Sequence, residues 1–370
     1  MKTRLFPASL LAVPTVAVIA VITVITVIAV IAAGPAAADN SVLTSSGWLY
    51  EVSAARYGDV LSDGAVNPWT PILVLTETSP DGVVSVEAIP DTIDSRVEIP
   101  GTVEYEPQTN TLFVVYMQAS GLMTDARVAV RRAHQWSNRD IRPTPGLYLS
   151  LNPRAVVTRQ QYVDVDSAGR SVQKVRSILS LVWWEEGGSL QARYAPVFVE
   201  DGVLRLDSVV AYNLNELAGS WGPTDAHGLP YSAFQFPAIQ RDPNTNGGVV
   251  VSFANLADLT QTTLRLTFPD DVAKLLAERP GDIALAQARA HVPVGRDPVQ
   301  GRIPGIETQS DVGAFISPSG VTNFYWQEGQ TLRYVSSGAA AGAKPKSIQL
   351  RKNLSLDKAV SIVREMTARD

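Results

Sequence analysis

From position 48 onward, apolar and polar residues alternate with a period of two, the pattern of strands that bury their side chains face by face. The run at 72–77 predicts a buried strand, Pro80-Asp81-Gly82 a tight turn, and 83–89 the returning strand. A further strand is expected at 111–116. Its partner at 126–133 sets Arg127, Ala129 and Arg131 against Val128, Val130 and Arg132. Strands follow at 155–163 and 172–184, joined by Asp166-Ser167-Ala168-Gly169, and then at 190–199 and 203–210, joined by Asp201-Gly202. Two stretches leave this period. Residues 270–279 place Val272, Leu275 and Leu276 on one helical face and stop at Pro280; Ser355 can cap a C-terminal helix that carries Ala359, Val360, Val363 and Met366 on one face. The segment 283–290 fits helix or strand.

The strands recur in groups. Trp184-Glu185-Glu186-Gly187 returns as Trp326-Gln327-Glu328-Gly329, with a leucine six residues after each tryptophan (190 − 184 and 332 − 326), followed by Arg193-Tyr194 and Arg333-Tyr334. Aligned this way, the echo keeps a glutamate at Glu328 and replaces Glu185 by Gln327. A second repeat places Pro100 and Pro237 sixteen residues before Tyr116 and Phe253 (116 − 100 and 253 − 237). An acidic-Pro-polar-Thr-Asn turn lies between, at Glu106–Asn110 and Asp242–Asn246. Strand ends then fall at Leu75, Tyr116, Trp184, Phe253 and Trp326, 41, 68, 69 and 73 residues apart (116 − 75, 184 − 116, 253 − 184 and 326 − 253). Periods above about 40 residues with several short strands each predict an all-β fold, a β-propeller of about five blades, with a short helical insertion and a C-terminal helix.

Composition adds the compartment and removes whole classes of chemistry. The chain has 370 residues and no cysteine, so disulfides, thiolate metal sites and thiol catalysis are excluded. A net charge of −5, with no basic half, argues against a nucleic-acid partner. Lys2 and Arg4 precede an uncharged run over 8–34, and Ala36-Ala37-Ala38 offers a small-x-small cleavage site before Asp39. The expected organisation is a signal peptide over 1–38 and a propeller domain over 39–370, secreted or held in the periplasm or cell envelope. The apolar run is about twice a usual signal core of roughly 7–15 residues, so a membrane contact through an uncleaved leader is the alternative.

Candidate chemistry is sparse. Trp183, Trp184, Glu185 and Glu186 combine indoles with carboxylates at a strand end, as sugar stacking or half of a glycosidase carboxylate pair would need, and Glu328 repeats the glutamate. A repeated motif argues for structure, because a catalytic site is used once. Asp225 and His227 share a Gly- and Pro-rich loop where a ligand-binding acid–base pair is conceivable. The three histidines lack metal-ligand spacing, and no G-x-S-x-G elbow occurs. Asp164-Val165-Asp166-Ser167-Ala168-Gly169 has the opening of a calcium loop, but its twelfth position is Val175 rather than a glutamate, so a hairpin turn is the better reading. No metal and no cofactor is called for.

The strand-Trp-x-Glu-Gly pattern and the proline run into each strand resemble exported bacterial β-propeller proteins and, more weakly, the sialidase-like superfamily. Ser79-Pro80-Asp81-Gly82 departs from the sialidase Asp-box, lacking both its spacer and its aromatic. The resemblance therefore implies a fold and transfers no catalytic residue. The function expected is non-catalytic: an exported scaffold binding a glycan, a small molecule or a protein. The alternative is a glycoside hydrolase or lyase of sialidase-like type that draws on Glu185, Glu186 or Glu328 from different blades.

Overall fold

The computed structural model describes residues 40–61, 63–93, 97–120, 123–137, 149–186, 190–200, 203–205, 209–219, 237–254, 261–301, 312–317, 319–337, 339, 343–350, 360, 363 and 366. The expected leader, residues 1–38, lies outside them. The described residues are mostly antiparallel strand and form a ring of five blades, a five-bladed β-propeller.

Blade 1 is β1 (Ser41–Leu43), β2 (Leu49–Arg56), β3 (Pro71–Thr78) and β4 (Val84–Ala88), with a one-turn helix α1 (Tyr57–Val60) inserted after β2. Blade 2 is β5 (Val97–Glu106), β6 (Thr111–Ser120), β7 (Met123–Arg132) and β8 (Gln135–Ser137). Blade 3 is β9 (Leu149–Val165), β10 (Ser171–Glu186), β11 (Leu190–Glu200) and an outer strand in two pieces, β12 (Val203–Arg205) and β13 (Tyr212–Asn213), both paired with β11. The single strand expected at 203–210 is therefore interrupted. Helix α2 (Leu214–Leu217) follows. Blade 4 is β14 (Ala238–Arg241), β15 (Val249–Ala254), β16 (Gln261–Thr267) and β17 (Val294–Gly301); helices α3 (Val272–Glu278) and α4 (Ile283–Arg289) are inserted before its last strand. Blade 5 is β18 (Val312–Ile316), β19 (Thr322–Glu328), β20 (Thr331–Ser336) and β21 (Lys346–Gln349).

The period of two follows from where the core sits. Each blade is buried on both faces, so alternate residues of one strand enter different cores. On β10, Ile178 and Val182 pack toward blade 4, whereas Leu179, Leu181 and Trp183 pack toward blade 2. The arginine side of β7 obeys the same rule: Arg127, Ala129 and Arg131 are buried, and Arg131 reaches blade 1 to pair with Glu77 at 2.6 Å and with Glu87 at 2.7 Å.

Turns recur with one mechanism. Thr44, Ser79, Asp166 and Ser317 each begin a five-residue reversal, and each side chain accepts the N–H of the fifth residue, Trp48, Val83, Arg170 or Val321, at 2.9–3.1 Å. The fourth residue is a glycine at φ 87°, 84°, 77° or 84° (Gly47, Gly82, Gly169, Gly320), a conformation that β-carbon sterics deny most residues. The acidic-Pro turns work similarly: Glu106 accepts from the backbone of Gln108 and Thr109, and Asp242 from that of Asn244. The sixteen-residue spacing is a cross-strand pair, since Pro100 lies opposite Tyr116, and Ala238 opposite Ser252 carries Pro237 to the same place beside Phe253.

Both inserted helices are capped by aspartate. Asp271 accepts from the N–H of Lys274 and Asp282 from that of Leu285, so 283–290 resolves as helix. At the C-terminus Val360, Val363 and Met366 are helical. Val360 and Val363 are buried against Phe315, Tyr325 and Leu332, whereas Met366 is exposed. Ser355 and Ala359 lie outside the described residues.

The first strands of the blades line the centre, and their inner edges are closed by side chains. The N–H of Ala155 on β9 donates to the Thr102 hydroxyl, and the N–H of Val157 donates to Glu104 on β5. Arg241, at the end of β14, donates to the Val157 carbonyl at 2.7 Å and ion-pairs with Glu104. Gly101 sits at a bulge of β5 where a β-carbon would lie 2.6 Å from the Pro153 carbonyl oxygen, which is how the two strands approach so closely. Replacing Glu104 by alanine leaves the buried N–H of Val157 without its acceptor. Glu104→Ala is expected to lower stability by about 1–3 kcal/mol in urea unfolding, and an unchanged midpoint would show that the inner edge does not depend on it.

Candidate functional site

The two ends of the propeller differ. One end carries the turns after the second strand of each blade, where β10 meets β11 and β19 meets β20; the other carries the turns after the first and third strands.

At the first end the structure places the Trp and Glu candidates. Trp183 donates its indole N–H to Glu185 at 3.2 Å, and Arg193, opposite Trp183 on β11, donates to the same carboxylate at 3.2 Å. Trp326 donates to Glu328 at 2.9 Å, and Arg333, opposite Trp326 on β20, donates to Glu328 at 2.6 Å. The structural repeat is thus Trp-x-Glu with an arginine across the hairpin, and Trp183 and Glu185, not Trp184 and Glu186, correspond to Trp326 and Glu328. Matching the Glu-Gly turns misplaced the alignment by one residue, because the first hairpin closes on Glu186 and Leu190 and the second on Glu328 and Thr331, leaving loops of different length. Tyr116, Trp183, Phe253 and Trp326 all lie on the second strand of a blade and face the preceding blade, and Tyr116 also has an arginine, Arg127, opposite it. Leu75, grouped with them by spacing, lies instead on the third strand of blade 1.

This arrangement fixes what these residues can do. Trp183 and Glu185 are 1% and 2% exposed, so neither offers a surface to a ligand. Trp184 is half-buried and packs toward blade 4. The hydrogen bond from Trp326, with the Arg333 charge, holds the Glu328 carboxylate below its ordinary range. Glu185 and Glu328 stand in blades 3 and 5, which are not neighbours in the ring. The side chain of Glu186, together with Asp225 and His227, lies outside the described residues.

At the opposite end, a cleft of about 540 Å³ opens between blade 3 and the helical insertion of blade 4. Arg176, 1% exposed, is its floor. This guanidinium donates to the Gln160 side chain at 2.8 Å and to the Ala290 carbonyl at the C-terminus of α4 at 2.8 Å, and lies 4.5 and 4.7 Å from the ring centres of Tyr162 and Phe198. Glu200 accepts from Arg176 at 3.4 Å and from His291 Nε2 at 3.0 Å. The other ring nitrogen of His291 meets the Gln287 carbonyl at 2.7 Å. Asp164 pairs with Lys174 at 2.8 Å and accepts from Gln287 on α4 at 3.2 Å.

Burial works against the charge of Glu200, but the hydrogen bond from His291 and the charges of His291 and Arg176 outweigh it, so its carboxyl titrates below the ordinary value. Asp164 is lowered in the same way, with burial overcome chiefly by Lys174. Burial, reinforced by Glu200 and Asp164, pushes the Tyr162 hydroxyl up to about 12. Sequence reading found none of this cleft as a site. In the sequence Asp164 only opens a hairpin turn with the start of a calcium loop, and His291 lacks metal-ligand spacing. Its residues come from 162–212 and 272–292, and the one local signal, an aspartate-capped helix pair interrupting a blade, does not say where that pair docks. Among the described residues no group of three or more His, Asp or Glu side chains is placed to hold a metal ion. Asp166 serves its turn, accepting from the N–H of Ala168 and of Arg170.

The chain matches no known family model and no curated protein. Its class therefore rests on its own geometry, a five-bladed β-propeller with a polar cleft beside blade 3.

Two outcomes follow from these clusters. Glu185→Ala leaves a buried indole N–H and Arg193 unmatched and is expected to cost about 1–3 kcal/mol in chemical denaturation; a variant as stable as the parent would contradict the structural role. Glu200 and Asp164 have folded-state pKa values below their unfolded ones, so their contribution is present above the unfolded values and is lost as pH falls through the lowered ones. Melting temperature is expected to fall between pH 6 and pH 3, and Glu200→Gln to shrink that fall.

Proposed function

We propose that the chain is an exported binding protein without catalysis of its own, taking a glycan, a small molecule or a protein at the cleft beside blade 3. The observation that carries this reading is the cleft, whose roughly 540 Å³ and mixed aromatic, apolar and charged lining are those of a ligand seat. Export is supported by the sequence of the leader, with its basic start, long apolar run and Ala36-Ala37-Ala38 exit. The resemblance to exported bacterial propellers agrees with both.

The absence of a reaction is supported by the way the carboxylates are used. Glu185 is held by Trp183 and Arg193, Glu328 by Trp326 and Arg333, and Glu200 by Arg176 and His291. Each is engaged in holding strands or helices together, whereas a glycosidase needs two carboxyls facing one bond. Thermal-shift screening of the purified protein against sugars and small metabolites is expected to yield ligands that raise the melting temperature with concentration. Turnover of a panel of chromogenic glycosides would overturn the reading.

A further inference from the structure

The cleft is unequal in charge. Three fixed cations, Lys174, Arg176 and Arg205, line it together with two carboxylates, Asp164 and Glu200, in a chain whose net charge is −5. Its pairings deepen the imbalance. Lys174 is matched by Asp164 at 2.8 Å. Glu200 is already taken by Arg176 and His291 through one oxygen, and the other lies 3.8 Å from Arg205 Nε, beyond hydrogen-bond length. Arg205 has no other side-chain partner among the described residues and is about half exposed at the rim. A guanidinium presents five donors in a planar fork suited to a carboxylate, and here nearly all of that fork is unused.

A second donor lines the same cleft. Tyr162 is 6% exposed and lines the cleft, yet its hydroxyl has no hydrogen-bond partner among the described residues. This hydroxyl is not one of the buried polar atoms left without a partner, so it meets the open space of the cleft and can donate to a group seated there. Arg205 at the rim and Tyr162 within thus both offer donors. Tyr212 and Val210 add an aromatic and an apolar surface to the same lining.

We infer that the cleft binds a small organic acid, its carboxylate on Arg205 and its ring or carbon skeleton against Tyr212 and Val210. This inference rests on the proposed ligand-binding reading of the cleft and gives that ligand a chemical class. The source of the carboxylate, a uronic sugar or a free aromatic acid, is separated by the choice of probe.

The test is calorimetric titration of the full chain with two matched pairs, glucuronate against glucose and benzoate against benzyl alcohol, repeated on Arg205→Gln and Val210→Trp. Both positions are about half exposed, so both variants are expected to fold, which circular dichroism checks. The expected result is that at least one acid binds ten-fold or more tightly than its neutral counterpart. Arg205→Gln removes at least that factor, and Val210→Trp, which fills the cleft, abolishes binding. Glucose or benzyl alcohol binding as well as its acid, with loss in Val210→Trp, would overturn the acid class while the cleft remained the ligand seat. Binding indifferent to Val210→Trp, or none with all four probes, would overturn both.

Discussion

Everything in this molecule depends on how the inner edge of each blade is satisfied. A strand at the centre of a propeller pairs on one side only, and its other row of N–H and C=O groups is left without a strand partner. Here that row is met by side chains from neighbouring blades. Thr102 and Glu104 of blade 2 take N–H groups of β9, Arg241 of blade 4 takes the Val157 carbonyl, and Thr158 donates to Gly247 across the next seam at 2.8 Å. The seams from blade 2 to blade 3 and from blade 3 to blade 4 are therefore specified by directional bonds as well as by apolar packing.

The cleft arises from the same constraint at a different radius. The two helices inserted in blade 4 have backbone ends to satisfy, and blade 3 supplies the partner. Arg176 takes the carbonyl at the end of α4 while stacking on Tyr162 and Phe198. Val163 donates to the Asp270 carbonyl at 2.8 Å, and Gln287 reaches Asp164. One buried cation thus anchors the insertion, and the polar pocket forms where the insertion and the interrupted outer strand of blade 3 leave room. Its ionised groups are chiefly fasteners, with Arg205 the one whose charge the fold leaves nearly unanswered.

The Trp-Glu motif has a single physical job repeated. An indole N–H buried at a blade seam must find an acceptor, a carboxylate two residues along the strand lies on the same face, and an arginine across the hairpin balances its charge. That solution occurs in blades 3 and 5, and the tyrosine of blade 2 keeps the arginine. What resembled half of an active site is a way of closing a seam.

The sequence by itself determined most strands of blades 1 to 3, their turns and the five-fold recurrence, because those depend on period, glycine placement and capping side chains within about twenty residues of one another. It also determined the cross-strand pairing of Pro100 with Tyr116, since a hairpin turns spacing into register. The one-residue error at Trp184 has the same origin: two loops of different length hide which tryptophan faces the seam. The tertiary structure alone decided that Glu185 is buried and bound, that Arg127 and Arg131 face a core, and that Arg176, Glu200 and His291 meet. The bonds of Arg176 alone reach from Gln160, 16 positions away, to Ala290, 114 positions away, and no local pattern encodes which face of one blade will receive a helix inserted in the next.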